Sequence, residues 1–232
     1  MLAVLLNIGQ QLSGQGSLNN YSTIIYQKVF SSNSTIQLIN ALNGTFGIIF
    51  TLNATWTVDR YGRRFLLLVG AVGMAASMIT AAAVVTSTPG GSDGAKSRPV
   101  GIATVFLMFL FAFFFKPSWG ATVWIWTSEI FSMNVRNQAI AISAQSQNVA
   151  NAVLQQIFPL FLAKEGFYAM YMFGAINVVL FLYVWFWIVE TKNVALEEID
   201  QLFGGDNHVE DPIEVKQNTH VEEVVDESGR KV

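Results

Sequence analysis

Long apolar runs separated by short polar stretches make up most of this chain. The runs cover approximately residues 1–28, 36–58, 65–87, 100–127, 137–162 and 166–189. Each is close to or longer than the roughly 20 residues that a helix needs to cross a bilayer. Because a backbone inside hydrocarbon must satisfy its own hydrogen bonds, the pattern predicts six transmembrane helices. We therefore expect an all-α membrane protein over residues 1–192.

The fifth run carries polar residues on one helical face. Ser143, Gln147, Asn151 and Gln155 follow one another at steps of four residues, and such positions lie along one side of a helix. Amides are unfavourable against lipid, so this side must face protein or water. The pattern predicts the wall of a polar cavity, which is the strongest indication of a solute pathway in the sequence.

The first run is also rich in amides. Gln10, Gly14, Ser17 and Tyr21 are predicted to share one face of a single helix. Two interpretations are open. The amides can hold helices together, at about 0.6 kcal/mol per interhelical hydrogen bond, or they can bind a polyhydroxylated solute, since an amide both donates and accepts. The number of amides favours the second.

The fourth run contains a charge and two tryptophans. Lys116 costs about 2.5–3.5 kcal/mol at a helix centre on insertion scales, so it must pair with a carboxylate or carbonyl, face a wet cavity or extend to the interface. Pro117 frees a carbonyl and is expected to loosen the helix. Trp126 fits an interfacial aromatic belt. Trp124, about one turn deeper, is a candidate for stacking on a sugar ring.

Composition supports a membrane protein with a solvated tail. The chain is 52% hydrophobic and only 12% charged, whereas a soluble domain carries about 25% charge. Residues 1–192 hold ten basic and five acidic residues, and residues 193–232 hold three basic and eleven acidic ones. We expect a short amphipathic helix at the start of the tail and disorder after it. The sequence has no cysteine, and it predicts no metal, no cofactor and no nucleic-acid partner.

The arginines between the second and third runs set the predicted orientation. Arg60, Arg63 and Arg64 lie close together in this loop, which the positive-inside rule places in the cytosol. Helix parity then places the acidic tail on the same side. The sequon at Asn33 falls in a loop that is predicted to face outside.

Charged residues of both signs stand at the inner ends of several runs. They are Asp59, Arg63, Arg64, Glu129, Arg136 and Glu190. Solvated charge at the headgroup level is the ordinary explanation for such residues. Their balance, with three acids and three bases on different helices, also suits a set of ion pairs that latch the helix ends in one conformation and release them in another.

Four motifs give this chain a family resemblance over about residues 10–203. They are QQLSG at 10–14, DRYGRR at 59–64, the spacing of Trp124 and Arg136 around EIF at 129–131, and ETK at 190–192. In this order they resemble the C-terminal half of a sugar porter of the major facilitator superfamily. The sequence of residues 116–158 is most similar to fungal hexose and proton–sugar symporters. Val189 stands where the last family motif has a proline.

The resemblance implies a central sugar site and names its residues. Gln10, Gln11 and Trp124 carry over directly, and the spacing places a family asparagine at Gln147, with Asn148 beside it. Gly16 stands where many members have a sugar-binding asparagine, and Lys116 where some have a glutamate. The polar side of the fifth run adds Asn151. The charged set at the inner ends matches the family's inward-side salt-bridge lock.

The resemblance also implies a larger assembly. Porters of this family have twelve helices in two six-helix halves with the site between them, so we expect a C-terminal half that works with an N-terminal half or a second subunit. The expected function is sugar or polyol transport by alternating access, coupled to protons, in the plasma membrane. The alternative is a non-transporting sugar sensor or regulatory fragment. A membrane enzyme is disfavoured, because the runs contain no histidine and no nucleophile motif.

Overall fold

The computed structural model describes residues 1–27, 30, 32–87, 98–131, 135–166 and 168–191. The chain divides into two units, Met1–Asn193 and Val194–Val232. The second unit, with the predicted tail helix and disordered segment, lies outside the described residues. So does most of the loop predicted to connect the third and fourth runs.

The described part of the chain is helical apart from short connections. The helices are α1 Leu2–Leu12, α2 Gln15–Asn20, α3 Ser22–Gln27, α4 Asn33–Tyr61, α5 Arg63–Ser87, α6 Arg98–Phe115, α7 Thr122–Glu129, α8 Arg136–Glu165 and α9 Tyr168–Trp187. A single π turn, Lys116–Gly120, joins α6 to α7.

Four stretches in the described residues are long and apolar enough to cross a membrane. They are Asn33–Tyr61, Arg63–Ser87, Pro99–Glu129 and Tyr168–Trp187, which correspond to the second, third, fourth and sixth predicted spans. The fifth predicted span forms one 30-residue helix, α8, but its polar residues lower its hydropathy. The fold is that of a multi-pass, all-helical membrane protein, while the count of six spanning helices remains a prediction.

The first predicted span is not one helix. α1 ends at Leu12, and Gly14 adopts a φ of +96° before α2 begins. Glycine reaches this backbone conformation without steric cost, and a side chain there would lie 2.6 Å from the ring of Phe173. Asn177 Nδ2 donates to the Ser13 carbonyl at 3.1 Å and so satisfies one group freed by the break. The prediction that residues 10–21 share one continuous helical face is therefore wrong.

The predicted loosening at Pro117 takes the form of the π turn. Proline has no backbone N–H to continue the helical ladder, and Thr122 Oγ1 donates to the Pro117 carbonyl at 3.1 Å. The turn places Trp119 in the core, where its side chain is fully buried and its Nε1 donates to the Leu67 carbonyl at 3.0 Å. π turns occur frequently at functional sites.

α5 lies at the centre of the described core. It packs against α6 and α9, and 61% of the residues in its most apolar stretch are buried. Its small residues allow this close approach, because a side chain at Gly73 would overlap the Phe114 ring of α6. The same relation holds on α9, where a side chain at Gly174 would lie 2.6 Å from Ile79.

Replacing Gly70 with alanine is expected to destabilise the protein by about 1–2 kcal/mol. The new Cβ would overlap Ser118 Oγ and lie 2.5 Å from Ser118 Cβ in the π turn. Gly44→Ala is the matched control, because nothing lies within 4 Å of its added Cβ. Thermal unfolding in detergent checks both variants, and equal midpoints would contradict the packing argument.

Candidate functional site

A polar cavity opens between the amide-rich helices and the π turn. Its volume is about 440 Å³, within the range of about 300–1,000 Å³ that is usual for small-molecule sites. Helices α1, α2, α4 and α8 and the chain from Phe115 to Ala121 form its wall. Its lining residues are Gln10, Gln11, Gln15, Gly16, Asn20, Thr51, Phe115, Lys116, Gly120, Ala121, Gln147 and Asn151.

Gln10 fixes α1 against the π turn. Its Nε2 donates to the Trp119 carbonyl at 2.5 Å and to the Gly120 carbonyl at 3.3 Å, and both carbonyls belong to the π turn. Its Oε1 is buried and receives no hydrogen bond from the residues that the structure describes, and the same holds for Gln147 Oε1 across the cavity. Each of these acceptors needs a donor, and buried acceptors without donors are costly. Both oxygens have almost no accessible surface, so they lie inside the packed wall rather than open to the cavity.

Gly16 lies where three amides converge. A Cβ at this position would lie 3.1 Å from Gln11 Oε1, 3.2 Å from Asn151 Oδ1 and 3.7 Å from Gln155 Nε2. Gln155 Nε2 also donates to Asn151 Oδ1 at 3.3 Å. The absence of a side chain at Gly16 therefore keeps the space between α2 and α8 open.

The structure brings most of the predicted site residues together. Gln10, Gln11, Gly16, Gln147 and Asn151 all line the cavity. Two predicted residues do not: Asn148 is exposed on a neighbouring face of α8, and Trp124 is 40% exposed. Trp124 lies in α7, beyond the part of the chain from Phe115 to Ala121 that lines the cavity.

Apart from the four lining residues between Phe115 and Ala121, three lining residues were not among the predicted site residues. Gln15 and Asn20 belong to the amide-rich first run, so their residue type was a usable signal. Thr51 could not be predicted, because nothing in the sequence distinguishes it from other threonines in a helix. Its hydroxyl donates to the Gly47 carbonyl one turn earlier, at 2.8 Å.

A second depression, of about 550 Å³, lies between α5, α6 and α9. Its wall is almost entirely apolar and includes Leu68, Val72, Leu110 and Phe181. Such a surface lacks the polar groups that would orient a hydroxylated solute. Among the described residues no cluster of three or more His, Cys, Asp or Glu could hold a metal ion. The polar cavity is therefore the candidate site.

The predicted charged set is organised around Arg63 and Glu129. Arg63 Nη2 and Nε donate to Glu129 Oε1 at 2.8 and 3.1 Å, and the two side chains are only 15% and 20% exposed. Thr191 Oγ1 donates to the other carboxylate oxygen at 2.7 Å. Asp59, which is 79% exposed, stands 3.5 Å from Arg63. The N-terminus of α5 is thus tied to the end of α7 and to the segment after α9.

Glu190 caps the N-terminus of α5. Its Oε1 and Oε2 accept hydrogen bonds from the backbone N–H groups of Arg63 and Arg64 at 2.8 and 3.0 Å. A carboxylate is stabilised at a helix N-terminus by the exposed N–H groups and the helix dipole. Gly62, with a φ of +92°, makes room for this carboxylate, whose Oε2 is 2.7 Å from the position of a Cβ.

The other two members of the predicted set contact backbone carbonyls. Arg64 Nη2 donates to the Trp185 carbonyl at 2.6 Å, and Arg136 Nε donates to the Phe131 carbonyl at 3.3 Å. Trp126 is also placed differently from the prediction of an interfacial belt. Its side chain is fully buried, and its Nε1 donates to the Val189 carbonyl at 3.2 Å.

Known proteins resemble this chain over most of its length. It matches the family Sugar (and other) transporter over residues 1–203. Probable quinate permeases from Aspergillus flavus and Aspergillus terreus are 31% and 32% identical to it over 207 and 208 residues. These matches cover 87% of this chain and 38% of each relative, so the chain spans less than half the length of these relatives.

Solved structures of transporters are also similar to this chain over most of its length. The proton:xylose symporter XylE bound to 6-bromo-6-deoxy-D-glucose superposes with a TM-score of 0.75 at 29% identity, over 86% of this chain and 42% of that one. The inward-open conformation of the xylose transporter XylE from E. coli gives a TM-score of 0.72 at 29% identity, over 86% and 40%.

The fold and these likenesses define a membrane protein of the major facilitator class. Within that class, the chain belongs to the sugar transporter family. This confirms the family resemblance that the four motifs carry. The relatives are permeases and transporters rather than enzymes, in agreement with the prediction of a non-enzymatic protein.

Proposed function

We propose that this chain provides the substrate-binding wall of a transporter for a sugar or a related polyol. The observation that carries the proposal is the polar cavity, whose wall includes six amide side chains from α1, α2 and α8. An amide can donate to one hydroxyl and accept from another. The partly exposed amides of Gln11, Gln15 and Asn151 and the exposed amide of Asn20 lie on this wall, where they can bind a ligand that carries several O–H groups.

We propose that the Met1–Asn193 unit contributes six spanning segments, with α1–α3 as a broken first segment and α8 as a polar fifth. Broken helices and polar segments are tolerated in membranes where they line a cavity. A second six-helix half, on the same polypeptide or on another chain, would close the open side of the cavity and give alternating access.

We propose that the contacts around Arg63 hold the inner helix ends together during one stage of the transport cycle, and we call this group of contacts the latch. Two contacts, Arg63 with Glu129 and Glu190 with the α5 N-terminus, tie three segments together in this conformation. Separating the segments would break these bonds, so the set biases the equilibrium between conformations. In the same scheme the latch faces the cytosol and the acidic tail lies on that side of the plasma membrane.

Proton coupling is proposed from the neighbour named a proton:xylose symporter. The residues that line the cavity include no carboxylate. We therefore assign the proton-carrying group to the second half of the transporter, and no residue of this chain receives that role.

Uptake of labelled xylose, glucose and quinate tests the proposal in yeast that lack their own sugar transporters. The chain is expressed alone and together with the N-terminal half of a relative. We expect saturable uptake of at least one solute only in the second case. A well-folded protein at the membrane that takes up none of the solutes in either case would contradict the proposal and favour a sensor.

Gln147→Ala is expected to raise the KM of that uptake about three- to tenfold, because the variant removes hydrogen bonds to the solute worth about 0.5–1.5 kcal/mol each. Gln37→Ala is the matched control, since Gln37 is exposed on α4 and does not line the cavity. An unchanged KM in Gln147→Ala would remove α8 from the binding site.

A further inference from the structure

The polar cavity contains one cationic side chain with no anionic partner. Lys116 lies on its wall at the first position of the π turn. The residues that line the cavity are otherwise neutral, and Lys116 makes no ion pair with any part of the chain that the structure describes. An ammonium in a site of low dielectric is costly unless it meets water or a negative charge.

The position of Lys116 separates it from the other charges. It lies near the middle of the apolar stretch Pro99–Glu129, thirteen residues before Glu129, which corresponds to about 20 Å along a helix. The charged set around Arg63 is therefore too far away to neutralise it.

The packing holds the ammonium in the cavity. A Cβ at Gly47 of α4 would lie 3.5 Å from Lys116 Cε and 3.8 Å from its Nζ, so α4 lies close to the end of this side chain. Gly47 itself is buried. On the other side of the turn, Trp119 fixes the backbone in the core through its bond to Leu67. The chain is thus anchored on one side and presents the cation on the other.

We propose that the substrate is a polyhydroxylated carboxylic acid, a sugar acid or a cyclitol acid, whose carboxylate pairs with Lys116 while the amides bind its hydroxyls. This inference rests on the proposed function, because it assigns a substrate class to the same cavity. A neutral hexose would leave the ammonium unpaired, whereas a carboxylate forms a charge-assisted hydrogen bond with it.

D-Galacturonate, its methyl ester and D-galactose form a matched set of probes. The acid and the ester have nearly the same shape and differ in charge, and galactose has a hydroxymethyl group in place of the carboxylate. Binding of each labelled probe is measured on membranes that contain the full chain, alone and co-expressed with the N-terminal half of a relative. Uptake is measured in the same cells.

We expect the acid to bind at least about tenfold more tightly than either neutral probe, in line with the strength of hydrogen bonds between charged groups. Lys116→Gln is expected to remove this preference, so that the acid, the ester and galactose bind with similar affinity. Lys116→Arg keeps the charge and is expected to retain most of the preference. Lys164→Gln is the control for net charge, since Lys164 is exposed at the end of α8 and away from the cavity.

Equal or tighter binding of galactose would overturn the inference and leave the proposed function intact. Loss of both acid and galactose binding in a folded Lys116→Gln protein would also overturn it, because the ammonium would then serve a carboxylate of the second half. Binding of the acid that depends on Lys116, without uptake of any probe, would support the inference while the proposed transport fails.

Discussion

Gly62→Ala is expected to lower the free energy of unfolding by about 3–5 kcal/mol. Gly62 has a φ of +92° and a ψ of 160°, a region that is essentially confined to glycine. The added Cβ would also lie within 2.7–3.1 Å of all three atoms of the Glu190 carboxyl group. The variant must therefore strain the turn and displace the carboxylate that caps α5.

A matched glycine separates the two contributions. Gly166 also has a positive φ, of +61°, but among the described residues, its chain neighbours aside, no atom lies within 4 Å of its Cβ position. Gly166→Ala is therefore expected to cost only the backbone strain, about 1–3 kcal/mol. Thermal unfolding of both variants in detergent gives the comparison. If Gly62→Ala is no worse than Gly166→Ala, the Glu190 cap contributes nothing to stability.

Arg63→Gln is expected to cost about 2–3 kcal/mol, because it removes two hydrogen bonds to a mostly buried carboxylate and leaves Glu129 with Thr191 alone. Partial exposure of the pair keeps this value below that of a fully buried one. If the pair latches the inner ends, the variant also shifts the protein towards conformations in which these ends are apart. Uptake is then expected to fall even where the protein remains folded.

Asp59→Asn is the control for this experiment. Asp59 is 79% exposed and 3.5 Å from Arg63, so its loss is expected to cost less than about 0.5 kcal/mol. A double-mutant cycle of Arg63→Gln with Glu129→Gln isolates the interaction between the two side chains. A coupling energy near zero would show that the contact does not stabilise this conformation.

The hydrophobic pattern was sufficient to predict the bounds of a helix where the span is continuous and apolar. The predicted spans of α4, α5 and α9 agree with the observed helices to within a few residues, because length and composition alone decide such segments. The break at Gly14 was not predicted. A glycine in an apolar run can mark either a helix break or a close contact between helices, as at Gly73. At Gly14, only the contacts of Phe173 and Asn177 in the structure show that the helix breaks.

The candidate site was predictable to the extent that it consists of amides. The four-residue spacing on α8 indicated the polar wall, and Gln147 and Asn151 are found there. Asn148 followed from the family's spacing and lies on a neighbouring face of the same helix. The charged set was predicted by sign and position, but sequence could not show that Glu190 would bind backbone N–H groups rather than an arginine side chain.

Two hydrogen bonds of Trp119 join α5, the helix that begins at Arg63, to the wall of the polar cavity. Leu67, whose carbonyl accepts from the indole, lies one helical turn beyond Arg63 on α5. The backbone carbonyl of Trp119 in turn accepts from Gln10 in the cavity wall. A displacement of α5 must either carry Trp119 and Gln10 with it or break one of these bonds. In the proposed transport cycle, separating the helix ends around Arg63 would therefore also move the cavity wall, because Trp119 is bonded to both α5 and Gln10.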